Sequence, residues 1–232
     1  MKLIERENEI IKLIRQLVES KLDFIVVGGY AVSALAKHRF SVDCDIVIPK
    51  KELAAIKNLL KKIGYRKKIE KTGFDTIYGG SFASYSKKVN DLPVTIDVLV
   101  GSLVNRSTEV SWSFEYIQQH SLIATISSIQ NSVEWKIPKR ELLIAMKIHS
   151  ARRADIRDVI MLDEKVDWLE VLKHLNRGKL EVLKYQINSI LKALHDEKLV
   201  DSLKGVFTLK QDVNDMIIKT IKEVEMLREK LP

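Results

Sequence analysis

Asp43 and Asp45 flank a single residue in the run Asp43-Cys44-Asp45-Ile46-Val47-Ile48, which reads as a β-strand. Alternate residues of a strand share a face, so the two carboxylates project side by side and Cys44 turns the other way. Carboxylates held that close repel unless they share a proton or a divalent cation bound through oxygen. Upstream, the apolar run Phe24-Ile25-Val26-Val27 ends in Gly28-Gly29, a turn that opens a helix. Backbone N–H groups at such a turn can cradle a phosphate. A metal site beside a phosphate cradle points to phosphoryl or nucleotidyl transfer.

An apolar strand, Gly-Gly, then Asp-x-Asp in a further strand resembles the nucleotidyltransferase superfamily that includes DNA polymerase β. That resemblance implies a third carboxylate on a later strand. Asp97 supplies it, set within the β-branched run Val94-Thr95-Ile96-Asp97-Val98-Leu99-Val100. An acid buried in such a run is costly without a partner, and a metal is a natural one.

The elements that must position these groups follow from periodicity. A helix is expected over 2–20, with Ile10, Ile11, Ile14 and Leu17 on one face. Strands are expected at 23–27, 42–48, 65–70, 74–85 and 93–100, with helices at 29–36 and 50–63. The Ser-rich stretch 101–137 suggests a short helix near 112–119 and one or two strands. From Pro138, which suits a helix's first turn, helices are expected at 141–150, 155–163, 167–175, 179–195 and 209–231, with a break at Gly205. The expected fold is α+β: a mixed nucleotidyltransferase-type sheet flanked by helices over 1–137, then an α-helical bundle over 138–232 contributing to the active-site cleft.

The 232 residues, 46% hydrophobic and 30% charged, suit a soluble globular protein with an ample core. No apolar run approaches a bilayer span, and the charged start Met1-Lys2-Leu3-Ile4-Glu5-Arg6-Glu7 lacks a signal peptide's apolar segment. One cysteine excludes an intrachain disulfide, and the expected location is cytoplasmic, with no membrane partner. The five histidines show no metal-ligand or triad spacing. Net charge is +8, and residues 50–71 concentrate nine Lys/Arg against Glu52 and Glu70. That segment reads either as a solvated helix face or as a positive surface that attracts nucleic acid.

A second polar cluster follows in Lys147 to Asp158. Lys147 lies in a helix that is apolar nearly all round; its ammonium either snorkels to solvent or meets an anion. Asp155 and Asp158, three apart, share a face and are expected in the first turn of the next helix, where carboxylates cap N–H groups. Arg152 and Arg153 could pair with them or with phosphate.

A lysine in an apolar helix, an arginine, then Asp-x-x-Asp resembles the C-terminal motif of AbiEii-like nucleotidyltransferases, several of which are toxins of toxin–antitoxin or abortive-infection systems. With Gly28-Gly29, Asp43, Asp45 and Asp97, the resemblance spans about 24–160. It implies that Lys147 and Arg153 contact the phosphates of a nucleoside triphosphate such as ATP, and that Asp155 or Asp158 holds one of them. Asp43 and Asp45 would bridge two Mg²⁺ ions (or Mn²⁺), Asp97 would ligate one of them, and Gly28, Gly29 and Ser33 would hold the β/γ-phosphates. Ala154 stands where the family often has a basic residue.

The expected activity is transfer of a nucleotide onto an acceptor hydroxyl, with RNA or tRNA favoured and an antitoxin protein as a further partner. Two alternatives stand beside it: a non-catalytic nucleic-acid-binding or partner-regulating module, and a transferase acting on a protein or a small molecule.

Overall fold

A computed structural model describes residues 2–41 and 43–232, so the first residue of the strand expected at 42–48 lies outside the described residues. The chain forms two compact units, residues 1–104 with 111–139, and residues 105–110 with 140–232.

In the first unit, helix α1 (Lys2–Glu19) buries Ile10, Ile11, Ile14 and Leu17 completely. Next come β1 (Ile25–Val27), α2 (Gly28–Leu35) and β2 (Asp43–Ile48), then a 3-10 turn and α3 (Leu53–Lys62), which buries Ile56 and Leu60. Strands β3 (Arg66–Lys71), β4 (Ser81–Val89) and β5 (Leu92–Val100) complete a five-stranded sheet ordered β1-β2-β5-β4-β3. Only the β2–β5 pairing is parallel. In β5, Val94, Ile96, Val98 and Val100 are buried, whereas Thr95, Asp97 and Leu99 on the opposite face are half-buried. That alternation is what one packed and one partly open face require.

The strand expected to begin at 74 starts instead at Ser81. The preceding chain wraps the buried Asp75 carboxylate, which accepts the N–H groups of Ile77 (3.1 Å), Tyr78 (3.1 Å) and Gly80 (3.2 Å) and the hydroxyls of Ser102 and Ser111. A short carboxylate that can take several backbone donors favours a turn over a ladder.

Strands β6 (Ser102–Asn105) and β7 (Val110–Ser113) pair with each other, followed by α4 (Phe114–Gln119). A hairpin of β8 (Ser121–Ser127) and β9 (Ser132–Pro138) packs on α2 and β1. There the Trp135 ring stacks on Phe24 at 4.9 Å, and its Nε1–H donates to the Phe24 carbonyl at 2.9 Å.

The second unit contains α5 (Arg140–Ser150), α6 (Arg153–Leu162), α7 (Trp168–Leu175), α8 (Leu180–Leu194), α9 (Lys198–Phe207) and α10 (Asn214–Lys230). Helix α5 packs on α6, α7 and α8, and α10 packs on α8, α6 and α7. The buried Asp163 closes α6 against its neighbours by accepting from Trp168 Nε1 (3.0 Å), Lys219 Nζ (2.8 Å) and Thr220 Oγ1 (2.9 Å). Among the described residues, no helix is long and apolar enough to cross a membrane.

Gly205 is not a break. Helix α9 runs through it because Leu199, Leu203 and Phe207, four apart, bury one face. The interruption comes later, at the left-handed Thr208 (φ +50°), and the last helix starts at Asn214 rather than 209. A Cβ on Gly205 meets nothing within 4 Å. Gly205→Ala is therefore predicted to stabilise the protein by about 0.5–1 kcal/mol, since only the glycine's entropy cost is removed. A lower denaturation midpoint for the alanine variant would contradict this.

Candidate active site

Register places the three strand carboxylates. Across the parallel β2–β5 pair, Asp45 is level with Asp97 and Asp43 with Thr95. Level residues on paired strands point to one face, about 4.8 Å apart, and Asp43 follows Asp45 on that face by the two-residue repeat. All three acids therefore share one side of the sheet. Asp43 is exposed, and Asp45 and Asp97 are half-buried.

Asp97 is the most constrained of the three. Burial pushes its carboxyl up from the ordinary range, a hydrogen bond from Ser84 pulls it down, and the charge of Asp43 pushes it up again; the net direction is upward. Its Oδ1 is buried with no hydrogen-bond partner among the described residues. An orphaned carboxylate oxygen beside two further acids is a donor set that suits a hard cation with oxygen ligands. Cys44 faces the opposite side and is fully buried. Burial, with Asp45, Asp97 and Asp43 nearby, holds its thiol far up and therefore protonated, which makes it core rather than nucleophile.

The Gly-Gly turn is built into the same site. Val27 lies level with Asp45 across β1–β2, so the next residue, Gly28, is delivered to that carboxylate. Gly28 has φ +65°, and a Cβ there would collide with the Asp45 carboxylate, whose Cγ would be 3.1 Å away. Only glycine combines that backbone angle with so close an approach. Gly28→Ala is predicted to cost about 1–3 kcal/mol of stability from strain alone and to move Asp45. Thermal melts with and without Mg²⁺ test both effects; an unchanged melting point would refute the first.

Beside Gly29, the nearest atoms to a would-be Cβ are Ser41 Oγ at 3.0 Å and an Arg39 guanidinium nitrogen at 3.3 Å. Ser33 instead meets the Arg39 backbone, both N–H and carbonyl at 3.4 Å, and so ties the loop back to α2. The groups crowding the turn are thus Ser41 and Arg39. Supporting this loop is Glu7 of α1, only 1% exposed, which meets His38 Nε2 at 3.1 Å. Burial raises the Glu7 carboxyl, against lowering contributions from His38 and the Ser41 N–H. Sequence reasoning missed Glu7, although its signal was present: an acid three residues before Ile10 and seven before Ile14, where the helix stripe calls for an apolar side chain.

The second unit holds the other cluster. Lys147 is 7% exposed, and its ammonium lies 2.8 Å from both Asp155 and Asp158. Asp155 also accepts from Arg152 Nε at 2.7 Å and from the Arg152 N–H at 3.3 Å. Burial pushes Asp155 up, but the Lys147 charge and the hydrogen bonds from Arg152, Lys147 and Ser150 outweigh it and hold the carboxyl at about 2. Lys147, Asp155 and Asp158 thus form one buried triad joining α5 to α6. Because α6 starts at Arg153, only Asp155 lies in its first turn, and Asp158 falls in the second. Arg153 stands outside the triad. It is exposed and lines a cleft with Ser189 and Asp196.

His149, two residues after Lys147 on α5, is fully buried between Thr108 Oγ1 (2.9 Å) and the Leu175 carbonyl (3.0 Å). Burial, opposed by the Leu175 hydrogen bond and aided by Arg177, lowers it to about 4, so it is a neutral pin.

A mixed sheet with three carboxylates on one face, a glycine turn against them and helices to follow defines a nucleotidyltransferase fold. Residues 12–160 match the family described as nucleotidyl transferase AbiEii toxin, type IV TA system. The chain belongs to that family. No curated protein sequence matches it significantly. Among solved structures, it resembles Helicobacter pylori JHP933 at 18% identity and TM-score 0.44, covering 95% of this chain and 90% of that one. It also resembles the lincosamide antibiotic adenylyltransferase LnuA at 14% identity and TM-score 0.47, covering 69% and 98%. A further likeness is to the antibiotic-resistance factor ANT(2'')-Ia, at 17% identity and TM-score 0.41, covering 86% and 89%.

Proposed function

We propose that this nucleotidyltransferase moves a nucleoside monophosphate from a triphosphate onto a hydroxyl of an RNA acceptor, with tRNA the favoured class. The observation that carries the reading is the register of Asp45 with Asp97, with Asp43 on the same face and Gly28 against Asp45.

Asp43, Asp45 and Asp97 would hold two divalent cations, Mg²⁺ or Mn²⁺, which when bound neutralise the triphosphate and acidify the acceptor hydroxyl. The N–H groups of Gly28 and Gly29 at the start of α2, with Arg39 and Ser41 beside them, are suited to the β- and γ-phosphates. Asp97, whose carboxyl is held above its ordinary range, would also take the acceptor's proton. The acceptor oxygen then bonds to the α-phosphorus, the bond to the β-phosphate oxygen breaks, and pyrophosphate leaves. Lys147, Asp155 and Asp158 shape the start of α6, where Arg153 is the exposed cation available to a phosphate. Ser33, whose hydroxyl meets the Arg39 backbone at 3.4 Å, would join Gly28 and Gly29 at the phosphates from the next turn of α2. Membership of a toxin family supports an antitoxin protein as the regulating partner, and the reaction places the chain in the cytoplasm, where nucleoside triphosphates and tRNA are found.

Incubation with Mg²⁺, each of the four labelled nucleoside triphosphates and bulk RNA, total protein or small hydroxylated acceptors tests the proposal. RNA is expected to take the label, and Asp43→Ala with Asp45→Ala to abolish it. Label on protein or on a small molecule alone would replace the acceptor. No label from any nucleotide on any acceptor would leave the non-catalytic module.

A further inference from the structure

The acid-bearing face of the sheet does not end at β5. Asp43 is level with Thr95, Thr95 with Ser86, and Ser86 with Arg66. One row on, Asp45, Asp97, Ser84 and Ile69 are level; the next row runs Val47, Leu99, Phe82, Lys71. Residues level across a sheet share a face, so the face carrying the three carboxylates also carries Arg66, Ile69 and Lys71 at its far edge, on β3. From Asp43 to Arg66 is three strand spacings, about 14 Å.

Every residue of β3 is exposed. Thr95, Ser86 and Phe82, in between, are half-buried, and Ile69 is 45% exposed. The strand's acid, Glu70, is occupied by Lys57 at 2.8 Å and by Lys67. Among the described residues, Arg66, Lys68 and Lys71 have no acidic partner. The strip thus starts at the carboxylates, continues over hydroxyls and the Phe82 ring, and ends in unneutralised cations. Single-stranded nucleic acid is bound by this combination: cations for phosphates and apolar or aromatic side chains for base faces.

We infer that this strip is the acceptor track: the 3′ end of a single-stranded RNA crosses the sheet face with its terminal hydroxyl at Asp97 and upstream phosphates on Arg66 and Lys71. The inference rests on the transferase reading above and adds where the acceptor lies. It differs from a general positive field, because α3 carries Lys61 and Lys62, also exposed, on a helix rather than on this face.

Two measurements separate the failure of this placement from the failure of the reaction. The first is binding of a fluorescein-labelled single-stranded RNA 12-mer by anisotropy, without nucleotide, over a salt series. Arg66→Glu with Lys71→Glu is expected to weaken binding at least ~10-fold and to lower the salt slope by about 1.4, the share of two single-strand phosphate contacts. Arg66→Gln with Lys71→Gln, which leaves no new repulsion, is expected to lower the slope equally with a smaller loss of affinity. Lys61→Glu with Lys62→Glu carries the same charge change and is expected to weaken binding less than threefold. Equal losses from both charge reversals, or none from either, would overturn the track.

The second measurement is transfer itself. In the Arg66/Lys71 reversal, the KM for RNA is expected to rise with kcat and the triphosphate KM unchanged. Wild-type binding without any transfer would refute the reaction and leave the surface standing. Transfer to protein with no RNA binding would refute the surface and the RNA acceptor, and leave nucleotide transfer itself standing.

Discussion

Asp45→Asn is expected to lower nucleotide transfer by about a thousandfold or more, a loss of roughly 4 kcal/mol of transition-state stabilisation. Asp45 sits where three demands meet: it is level with Asp97, it shares the face of Asp43, and its carboxylate fills the space a Gly28 side chain would need. Asparagine keeps that shape and removes the charge, so the expected loss is electrostatic rather than steric. The variant should fold at least as well as the parent without metal, because removing one of three neighbouring carboxylates relieves repulsion. Mg²⁺ should show the opposite ranking. A cation at a hundred times its Kd stabilises a protein by about 2.7 kcal/mol, and the Asn variant should lose most of that thermal shift. Activity above a tenth of the parent's, or an undiminished Mg²⁺ shift, would contradict the assignment of Asp45.

The site was legible where chemistry and local periodicity coincide. Gly28-Gly29, Asp43, Asp45 and Asp97 each lie in a short apolar run, so the two-residue repeat of a strand already fixes which side chains share a face. What the sequence could not supply was inter-strand register. Nothing local says that Thr95, Ser86 and Arg66 continue the row of Asp43, because that depends on which strands pair and at what offset. The Asp75 turn was hidden for a related reason: its donors Ser102 and Ser111 are remote in sequence. Glu7 was visible as an acid on an apolar stripe, but its role depends on the Ser41 loop folding over it. Gly205 misled through the opposite fault, a strong local signal overridden by the burial of Leu199, Leu203 and Phe207. Of the Lys147 segment, the composition was readable, and the tertiary pairing decided between a snorkelling and a paired lysine.

That pairing makes Lys147→Met the substitution with the largest expected effect on stability. Methionine matches the lysine stem but removes the ammonium that Asp155 and Asp158, 1% and 0% exposed, share, and Arg152 remains beside Asp155. Removing one partner from a buried ion cluster costs about 3–5 kcal/mol, and the melting temperature should fall by roughly 10 °C for a chain of this size. The pH dependence distinguishes a lost ion pair from lost packing. In the parent, Asp155 is held at about 2 against an ordinary 3.8, so its contribution is complete above pH 3.8 and disappears as pH falls towards 2. Without Lys147, Asp155 keeps only the hydrogen bonds from Arg152 and Ser150 against burial, and titrates above the parent's value. The stability gap between parent and variant should therefore narrow as pH falls from about 4 towards 2. Adding Asp155→Asn and Asp158→Asn to Lys147→Met should recover much of the loss at pH 7, because the three neutral side chains no longer bury a net charge. A gap that stays constant with pH, together with no recovery in the triple variant, would show that the lysine's stem rather than its charge joins α5 to α6.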